Sequence, residues 1–351
     1  MTHLWVRAEN RPNEDRVGIT PEGVAALIAQ GMTVTVEDSP SRVIQIDEYR
    51  KAGAEIAPAG AWVDAPDEAI IFGLKELPED GTPLKHRHIM FGHAFKGQPA
   101  GRVLLKRFKA GGGSLYDLEY LLDENGRRLA AFGYWAGFAG AAVSLKAWAA
   151  QQQGGICGPV RSWPDKEAMM TDLRAALDGT GRPRPSTIVI GANGRVGTGA
   201  SDLLTAMGCS VTRWDMAETA SGGPFPQILM HGVFINAILA NPGCPVFVPA
   251  EAVHPGRALS VIGDVACDPT SEFSPIKVYD RTTTWAEPVL RVTDHPVLDV
   301  MAIDNLPSML PRESSLDYAA QLLPVLSRLD AIDAGPWGGA RALFIKHQSE
   351  V

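Results

Sequence analysis

Cysteine is scarce in this chain of 351 residues, and what there is stands alone. Cys157, Cys209, Cys244 and Cys267 form no Cys-x-x-Cys pair and have no histidine cluster at zinc spacing beside them. This argues against a disulfide framework or a metal centre and predicts reduced, buried thiols. Long hydrophobic runs are also missing: no charge-free apolar stretch approaches the ~20 residues that a membrane span needs. The amino terminus passes from Met1 straight into a strand-like run and the acidic Glu9, with no basic segment followed by an apolar core, so a cytoplasmic protein is expected. Positive charge is in deficit, with 32 Lys and Arg against 40 Asp and Glu and a net charge of −8. Broad attraction to nucleic acid or to an anionic membrane is thereby disfavoured, although local arginines can still hold a small anion. Internal repeats and low-complexity tracts are lacking as well.

What is present is ordinary globular material, 45% hydrophobic and 21% charged, long enough for two domains at about 150 residues each. The first half alternates short apolar strands (Leu4–Arg7, Thr33–Glu37, Ala69–Leu74, Ile89–Gly92, Ser114–Tyr116) with helical stretches after Thr20-Pro21 and from Asp47. That alternation is the grammar of a parallel, doubly wound sheet. Thr20 can cap the first helix with Pro21 at its first position, and Gly31 ends it. From Tyr134 to Gln153 a run rich in alanine, glycine and other small residues predicts a long apolar helix connecting two domains, followed by loops at Gly154–Pro164 and Gly179–Pro185. The expected division is 1–131 plus 313–351 for one domain and 132–312 for the other, the tail from Arg312 returning as helix to the first.

Ser186–Gly197 (Ser-Thr-Ile-Val-Ile-Gly-Ala-Asn-Gly-Arg-Val-Gly) reads as a buried β-branched strand, a glycine turn and the start of a helix over Thr198–Met207. Glycines let the backbone turn tightly against a pyrophosphate, whose charge sits on free amides and on the helix dipole. The next strand, Ser210–Trp214, ends in Asp215, where a carboxylate can accept from both ribose hydroxyls and repel a 2′-phosphate; NAD is therefore expected over NADP. The glycines are Gly191, Gly194 and Gly197, with Asn193 where the commonest fingerprint has its second glycine. A purely structural βα turn is the competing reading. Arg195 either touches the pyrophosphate or is a solvated first-turn residue.

Four charged segments fall where strands of the first half should end, the place where ligands bind in open α/β sheets. They are Arg16, the pair Lys75 and Glu76, His93 with Lys96, and Glu119. Charge leaving an apolar strand is costly in a core and useful at a site. A solvated strand end accounts for any one of them, but poorly for four at consecutive strands.

These segments sit inside longer motifs: Arg-Ala-Glu at 7 to 9, Val-Glu-Asp-Ser-Pro at 36 to 40, Glu-Tyr-Arg-Lys-Ala-Gly-Ala at 48 to 54 and Gly-Leu-Lys-Glu at 73 to 76. Others are Leu-Tyr-Asp-Leu-Glu at 115 to 119, Gly-Arg-Arg-Leu-Ala-Ala-Phe-Gly at 126 to 133, Gly-Gly-Pro-Phe at 222 to 225 and Leu-Pro-Ser-Met-Leu-Pro-Arg-Glu at 306 to 313. Over nearly its whole length the chain resembles the NAD-dependent, lysine-forming saccharopine dehydrogenases, relatives of alanine dehydrogenase and of the transhydrogenase amino-terminal domain. The resemblance implies an α/β fold of two Rossmann-like doubly wound domains, 1–131 plus 313–351 handling substrate and 132–312 handling NAD, with an interdomain active-site cleft.

It also implies hydride transfer from a carboxylated secondary amine, saccharopine, to NAD, followed by imine hydrolysis to lysine and 2-oxoglutarate. By family position Lys75 and His93 are the acid–base residues, with Glu76 and Glu119 tuning them. Arg16, Lys96, Arg128 and Phe132 lie at substrate positions; Phe132 also fits simple packing. The expected cofactor set is Arg127, Gly191, Gly194, Arg195, Gly197, Asp215, Thr219, Leu239, Val265, Ile303, Asp304, Asn305 and Leu306, with Asp304 the side chain expected to matter beside the nicotinamide. Fungal members carry cysteines where this chain has Val196 and Ala237, so a redox link there is absent.

Two enzymatic alternatives stay open, an opine-type dehydrogenase acting on another carboxylated secondary amine and an enzyme similar to alanine dehydrogenase. A silent NAD-binding protein is the non-enzymatic one. Lys96, Glu119 and Arg128 discriminate, since a three-carbon substrate would not require them. The expected partners are small molecules only, saccharopine or lysine plus 2-oxoglutarate, for a monomer or small homo-oligomer that binds neither nucleic acid nor membrane.

Overall fold

The computed structural model describes residues 1–239 and 241–351. The chain divides into two compact units, Met1–Ala131 with Pro311–Val351, and Phe132–Leu310. The second junction lies two residues before the expected one, because the returning helix already begins on Pro311.

The first unit is built on six parallel strands, β1 (His3–Val6), β2 (Thr33–Glu37), β3 (Glu55–Ala57), β4 (Ile70–Phe72), β5 (Arg87–Met90) and β6 (Ser114–Asp117), in the order β3-β2-β1-β4-β5-β6. The helices α1 (Pro21–Ala29), α2 (Ile46–Lys51) and α3 (Pro99–Gly111) make the connections. Thr20 caps α1 as its sequence predicts, its hydroxyl accepting the Gly23 N–H at 3.2 Å, with Pro21 following. Strand order reverses between β1 and β4, so the carboxyl ends of these two strands flank the topological switch point. Lys75 leaves the sheet there.

In the second unit the helices α4 (Gly133–Gln152), α5 (Lys166–Asp178), α6 (Arg195–Ala206) and α7 (Met216–Thr219) accompany the strands β7 (Ser186–Ile190), β8 (Ser210–Trp214), β9 (Val233–Asn236), β10 (Val261–Asp264), β11 (Leu290–Asp294) and β12 (Val297–Met301). The sheet runs β11-β12-β10-β9-β7-β8, parallel except for β11, which turns back antiparallel on β12. Strand β7 is buried on both faces, with Val189 in one core and Ile188 and Ile190 in the other, as expected of a central parallel strand.

Helix α4 corrects one expectation. It lies wholly in the second unit as its central helix, with Phe138–Leu145 buried on every side, rather than bridging two domains. Its small residues serve close packing on α6. A Cβ at Gly137 would lie 1.8 Å from the Val196 carbonyl oxygen, and one at Gly199 1.9 Å from that of Tyr134. The chain returns to the first unit as α8 (Pro311–Leu326) and α9 (Gly335–Gln348).

Candidate active site

Arg7, Ala8 and Glu9 follow β1 in the first unit, and Gly73–Glu76 follow β4. The Glu9 carboxylate accepts the Leu74 N–H at 2.6 Å and the Lys75 N–H at 3.0 Å. Arg7 pairs with Glu9 at 3.3 Å and donates to the Lys75 carbonyl. Lys75 is thus fixed through its own backbone.

Arg16 is buried, 4% exposed, and its guanidinium makes a two-pronged bond to the buried Glu14 at 2.7 and 2.6 Å. This is the geometry expected of it toward a substrate carboxylate, here met by a side chain of the same protein. Both residues act on Lys75. Burial lowers the Lys75 ammonium pKa, the positive charges of Arg16 and Arg11 lower it further, and Glu14 and Glu76 only partly oppose them. Burial also pushes the Glu14 carboxyl up, yet Arg16 and Lys75 outweigh it and hold Glu14 below its ordinary value. Lys75 is therefore moved toward the neutral amine, the form that can accept a proton.

His93 follows β5 with φ of 48°, a left-handed conformation that a residue bearing a Cβ adopts at a cost. The preceding Gly92 N–H is held by Asp117 at the end of β6, at 3.2 Å, and the other oxygen of the same carboxylate accepts the Glu119 N–H at 2.9 Å. Burial raises the Asp117 pKa to about 6. The His93 ring lies between two carboxylates, Nε2 at 3.5 Å from Glu76 and Nδ1 at 3.9 Å from Glu119.

Glu119 in turn accepts from Lys96 Nζ at 2.8 Å and from Arg128 at 3.0 Å. Burial pushes Glu119 up, but Lys96, Arg128 and His93 hold it below its usual value. Burial pulls Lys96 down, and its bond to Glu119 reverses the sign, leaving it raised. Arg128 is aimed by a short hairpin: Leu122 pairs with Arg128, and Asp123 caps the turn by accepting from Asn125 and Arg127. Arg127, assigned to the cofactor by the resemblance, is exposed beside that turn in the first unit.

The second unit presents backbone rather than charge. Gly191 has φ of 85°, and its N–H and that of Ala192 both donate to the Trp214 carbonyl, joining the glycine turn to β8. A Cβ at Gly197 would lie 2.1 Å from the Gly191 carbonyl oxygen, so only glycine lets α6 start this close to the turn. Helix α6 begins at Arg195, three residues before the expected start, with Gly194 at its N-cap and no side chain capping it. Its first turn follows directly on the glycine-lined turn with no side chain at the cap, a cradle that fits a pyrophosphate. Arg195 lies exposed in that first turn.

Asp215 ends β8 and accepts from the Asn193 N–H and the Met216 N–H, each at 2.9 Å. It therefore braces the turn. Thr219 bonds back to the Asp215 carbonyl, and Leu239 is 61% exposed. Phe132 is half-buried at the N-cap of α4, in the second unit.

Beyond β10, Val265 is tied to the Asn236 carbonyl at 3.1 Å, and the buried Asp264 collects Tyr279 at 2.6 Å, Asn236 at 2.9 Å and the Cys267 N–H at 3.1 Å. Cys267 donates to the Ala302 carbonyl at 3.0 Å, joining this loop to the segment with buried Ile303 and Leu306, half-buried Asn305 and exposed Asp304. Burial raises the Cys267 thiol to about 12, consistent with an inert thiol.

The structure thus brings Lys75, Arg16 and Glu14 together at one strand end, and His93, Glu76, Glu119, Lys96 and Arg128 around the next two. Sequence reasoning did not single out Arg7, Glu9, Arg11, Glu14 or Asp117. Arg7 and Glu9 stood in a quoted motif, but their partners are main-chain groups more than sixty positions away, which no local spacing reveals. Glu14 lay two residues from Arg16 and was open to reading.

The alanine dehydrogenase/PNT N-terminal domain family model matches residues 5–139. Among curated proteins the chain is 42% identical over 360 residues to the saccharopine dehydrogenase [NAD(+), L-lysine-forming] of Candida glabrata, covering 99% of this chain and 97% of that protein. It is 45% identical over 356 residues to the enzyme of the same name from Neurospora crassa, covering 98% and 95%. Among solved structures, an L-alanine dehydrogenase superposes with a TM-score of 0.67 at 19% identity, covering 97% of this chain and 94% of the other. A transhydrogenase from Sinorhizobium meliloti gives 0.63 at 18%, covering 94% and 95%. At such identities the two structures speak for the fold alone.

Proposed function

The chain belongs to the NAD-dependent, lysine-forming saccharopine dehydrogenases, and from that premise we propose that it oxidises saccharopine reversibly to L-lysine and 2-oxoglutarate. The observation that carries the reading is the row of ionisable side chains in contact beyond the ends of β4, β5 and β6: Glu76, His93 and Glu119, with Lys96 and Arg128 beyond. A three-carbon amino acid with its single carboxylate has no use for this additional set of cations, whereas a substrate with several carboxylates has.

NAD, when bound on the Gly191–Gly197 turn with Asp215 at the ribose, supplies the hydride acceptor, and Thr219, Leu239, Val265 and Ile303–Leu306 would complete its site. The first unit is then the substrate and catalytic domain and the second the NAD-binding domain. Lys75, its pKa lowered, takes the proton from the secondary amine as hydride leaves the adjacent carbon. His93 takes a proton from the water that adds to the resulting imine while Lys75 returns its proton to the nitrogen; as the carbinolamine C–N bond breaks, Lys75 takes the hydroxyl proton and His93 gives its own to the departing lysine nitrogen. Glu76 and Glu119, one on each side of the ring, hold the imidazole in place. Lys96 and Arg128, their side chains 54% and 39% exposed, orient substrate carboxylates. Arg16 keeps Glu14 ionised and Lys75 low, and it reaches substrate only by exchanging part of its bond to Glu14. Phe132, half-buried at the start of α4, and Arg127, exposed beside the Asp123 turn, are given no catalytic part.

The deciding assay is NADH oxidation with 2-oxoglutarate and a panel of amines, lysine first, beside pyruvate with ammonia. Turnover with lysine and 2-oxoglutarate is expected; turnover with pyruvate and ammonia alone would sink the proposal. We further propose a cytoplasmic monomer or small homo-oligomer without nucleic-acid or membrane partners. The net charge of −8 supports this, and among the described residues no helix is long and apolar enough to cross a membrane. Light scattering on the purified chain checks the assembly, a large oligomer being the contrary result.

A further inference from the structure

Lys75 stands on irregular chain beyond β4. We propose that Arg7 and Glu9 form a buried clamp that positions Lys75 through its backbone, acting as positioning residues for proton transfer without touching substrate. The inference rests on Lys75 being an acid–base residue.

Three observations carry it. The two oxygens of Glu9 take the successive amides of Leu74 and Lys75, at 2.6 and 3.0 Å, while Arg7 takes the Lys75 carbonyl, so the peptide groups on both sides of Lys75 are engaged. The pair is withdrawn from solvent, with side chains 1% and 9% exposed, where ions cost desolvation that a hydrophobic pair would not. The backbone is shaped to admit it: a Cβ at Gly73 would lie 2.4 Å from Arg7 Nε, so any side chain at residue 73 would displace the guanidinium from its present position.

The same segment is tied onward, because the Phe91 N–H donates to the Leu74 carbonyl at 3.0 Å, two residues before His93. The clamp therefore sets the spacing between Lys75 and His93. The charges acting most strongly on the Lys75 ammonium are Arg16, Glu14, Arg11 and Glu76, whereas Arg7 and Glu9 bond to its backbone.

A double-mutant cycle on the full-length enzyme tests this. Glu9→Gln leaves one oxygen for two amides and should lower kcat about ten- to hundredfold, the scale of a misplacement near 1 Å, with NADH affinity unchanged. In a Lys75→Met background the same substitution should cost less than about twofold, because the group it positions is gone. Equal losses in both backgrounds, or no loss in the parent, would overturn the clamp. If Lys75→Met alone leaves turnover intact, the assignment of Lys75 fails first, and the two failures are distinguishable. Should Glu9→Gln not fold, Arg7→Lys, which keeps the charge and loses the fork, is carried through the same cycle under the same criteria.

Discussion

At the carboxyl ends of their strands the two units present different chemistry. In the first, β4, β5 and β6 lead into Lys75 and Glu76, His93, and Glu119, side chains that titrate and set one another's charge. In the second, β7 leads into a glycine turn and the uncapped first amides of α6, groups that do not titrate at all. Proton transfer needs groups whose affinity for a proton can be moved, whereas a pyrophosphate needs only fixed dipoles at fixed distances. Damage to the first region should therefore appear in turnover and its pH dependence, and damage to the second in cofactor affinity and in stability.

The strongest way to break this contrast is Lys75→Met or His93→Gln. Each should lower kcat by about 10²–10⁴-fold while the NADH dissociation constant, read by fluorescence titration, stays within about twofold; a large loss of NADH binding would dissolve the distinction. Next, Gly197→Ala forces a methyl toward the Gly191 carbonyl and should cost about 1–3 kcal/mol in urea unfolding together with most NADH affinity. Intact affinity would mean that the turn is structural only. Smaller again, Asp215→Ala should relax discrimination against NADPH by about tenfold, or roughly 1.4 kcal/mol, and an unchanged NADH to NADPH ratio would remove Asp215 from the ribose.

The smallest effect concerns His88 on β5, which is 1% exposed between Trp62 and Phe108, with no hydrogen-bond partner at either ring nitrogen among the described residues. Burial, and then the charge of Arg7, hold its pKa well below the ordinary value. Unfolded histidine protonates near about 6.5, so the unfolded chain gains a proton that the folded one refuses, and stability is lost as pH falls below that point. His88→Leu should narrow the difference in urea midpoint between pH 7.5 and pH 5.5; a difference as wide as in the parent would show that other groups set the acid limb.

The legible parts of the fold were those where local rules coincide. Strand β7, the glycine turn, α6 and β8 stood in the pattern of β-branched residues, glycines and Asp215, with an error of three residues at the helix start because the cap is Gly194 rather than a polar side chain. Strands β1, β2, β4, β5 and β6 were readable from their apolar runs, whereas β3, three residues opening on the exposed Glu55, went unread. Helix α4 was visible as a helix but not as a core helix, since nothing local says whether small residues face another domain or α6. Helix α5 went unread although Asp165 caps it through the Ala168 N–H at 2.8 Å, a signal the sequence did contain. In the candidate site the titrating residues were legible by type and by place at strand ends. Their supports were not: Glu9 and Asp117 bond to amides brought near only by the sheet, and the direction of the Lys75 shift depends on a burial that the sequence does not print.

The contact of α4 with α6 bears on how this protein can change. Carbonyl oxygens of each helix lie where the other's missing side chains would be, so the start of α6 cannot slide or tilt to suit a bulkier or differently charged phosphate without separating two backbones. On the proposed cofactor site, a change toward another dinucleotide is therefore channelled to the short segment from Asp215 to Thr219, which is largely exposed and braces the turn from outside. One half of that proposed site is locked by backbone packed on backbone, and the other half is where substitution has room to act.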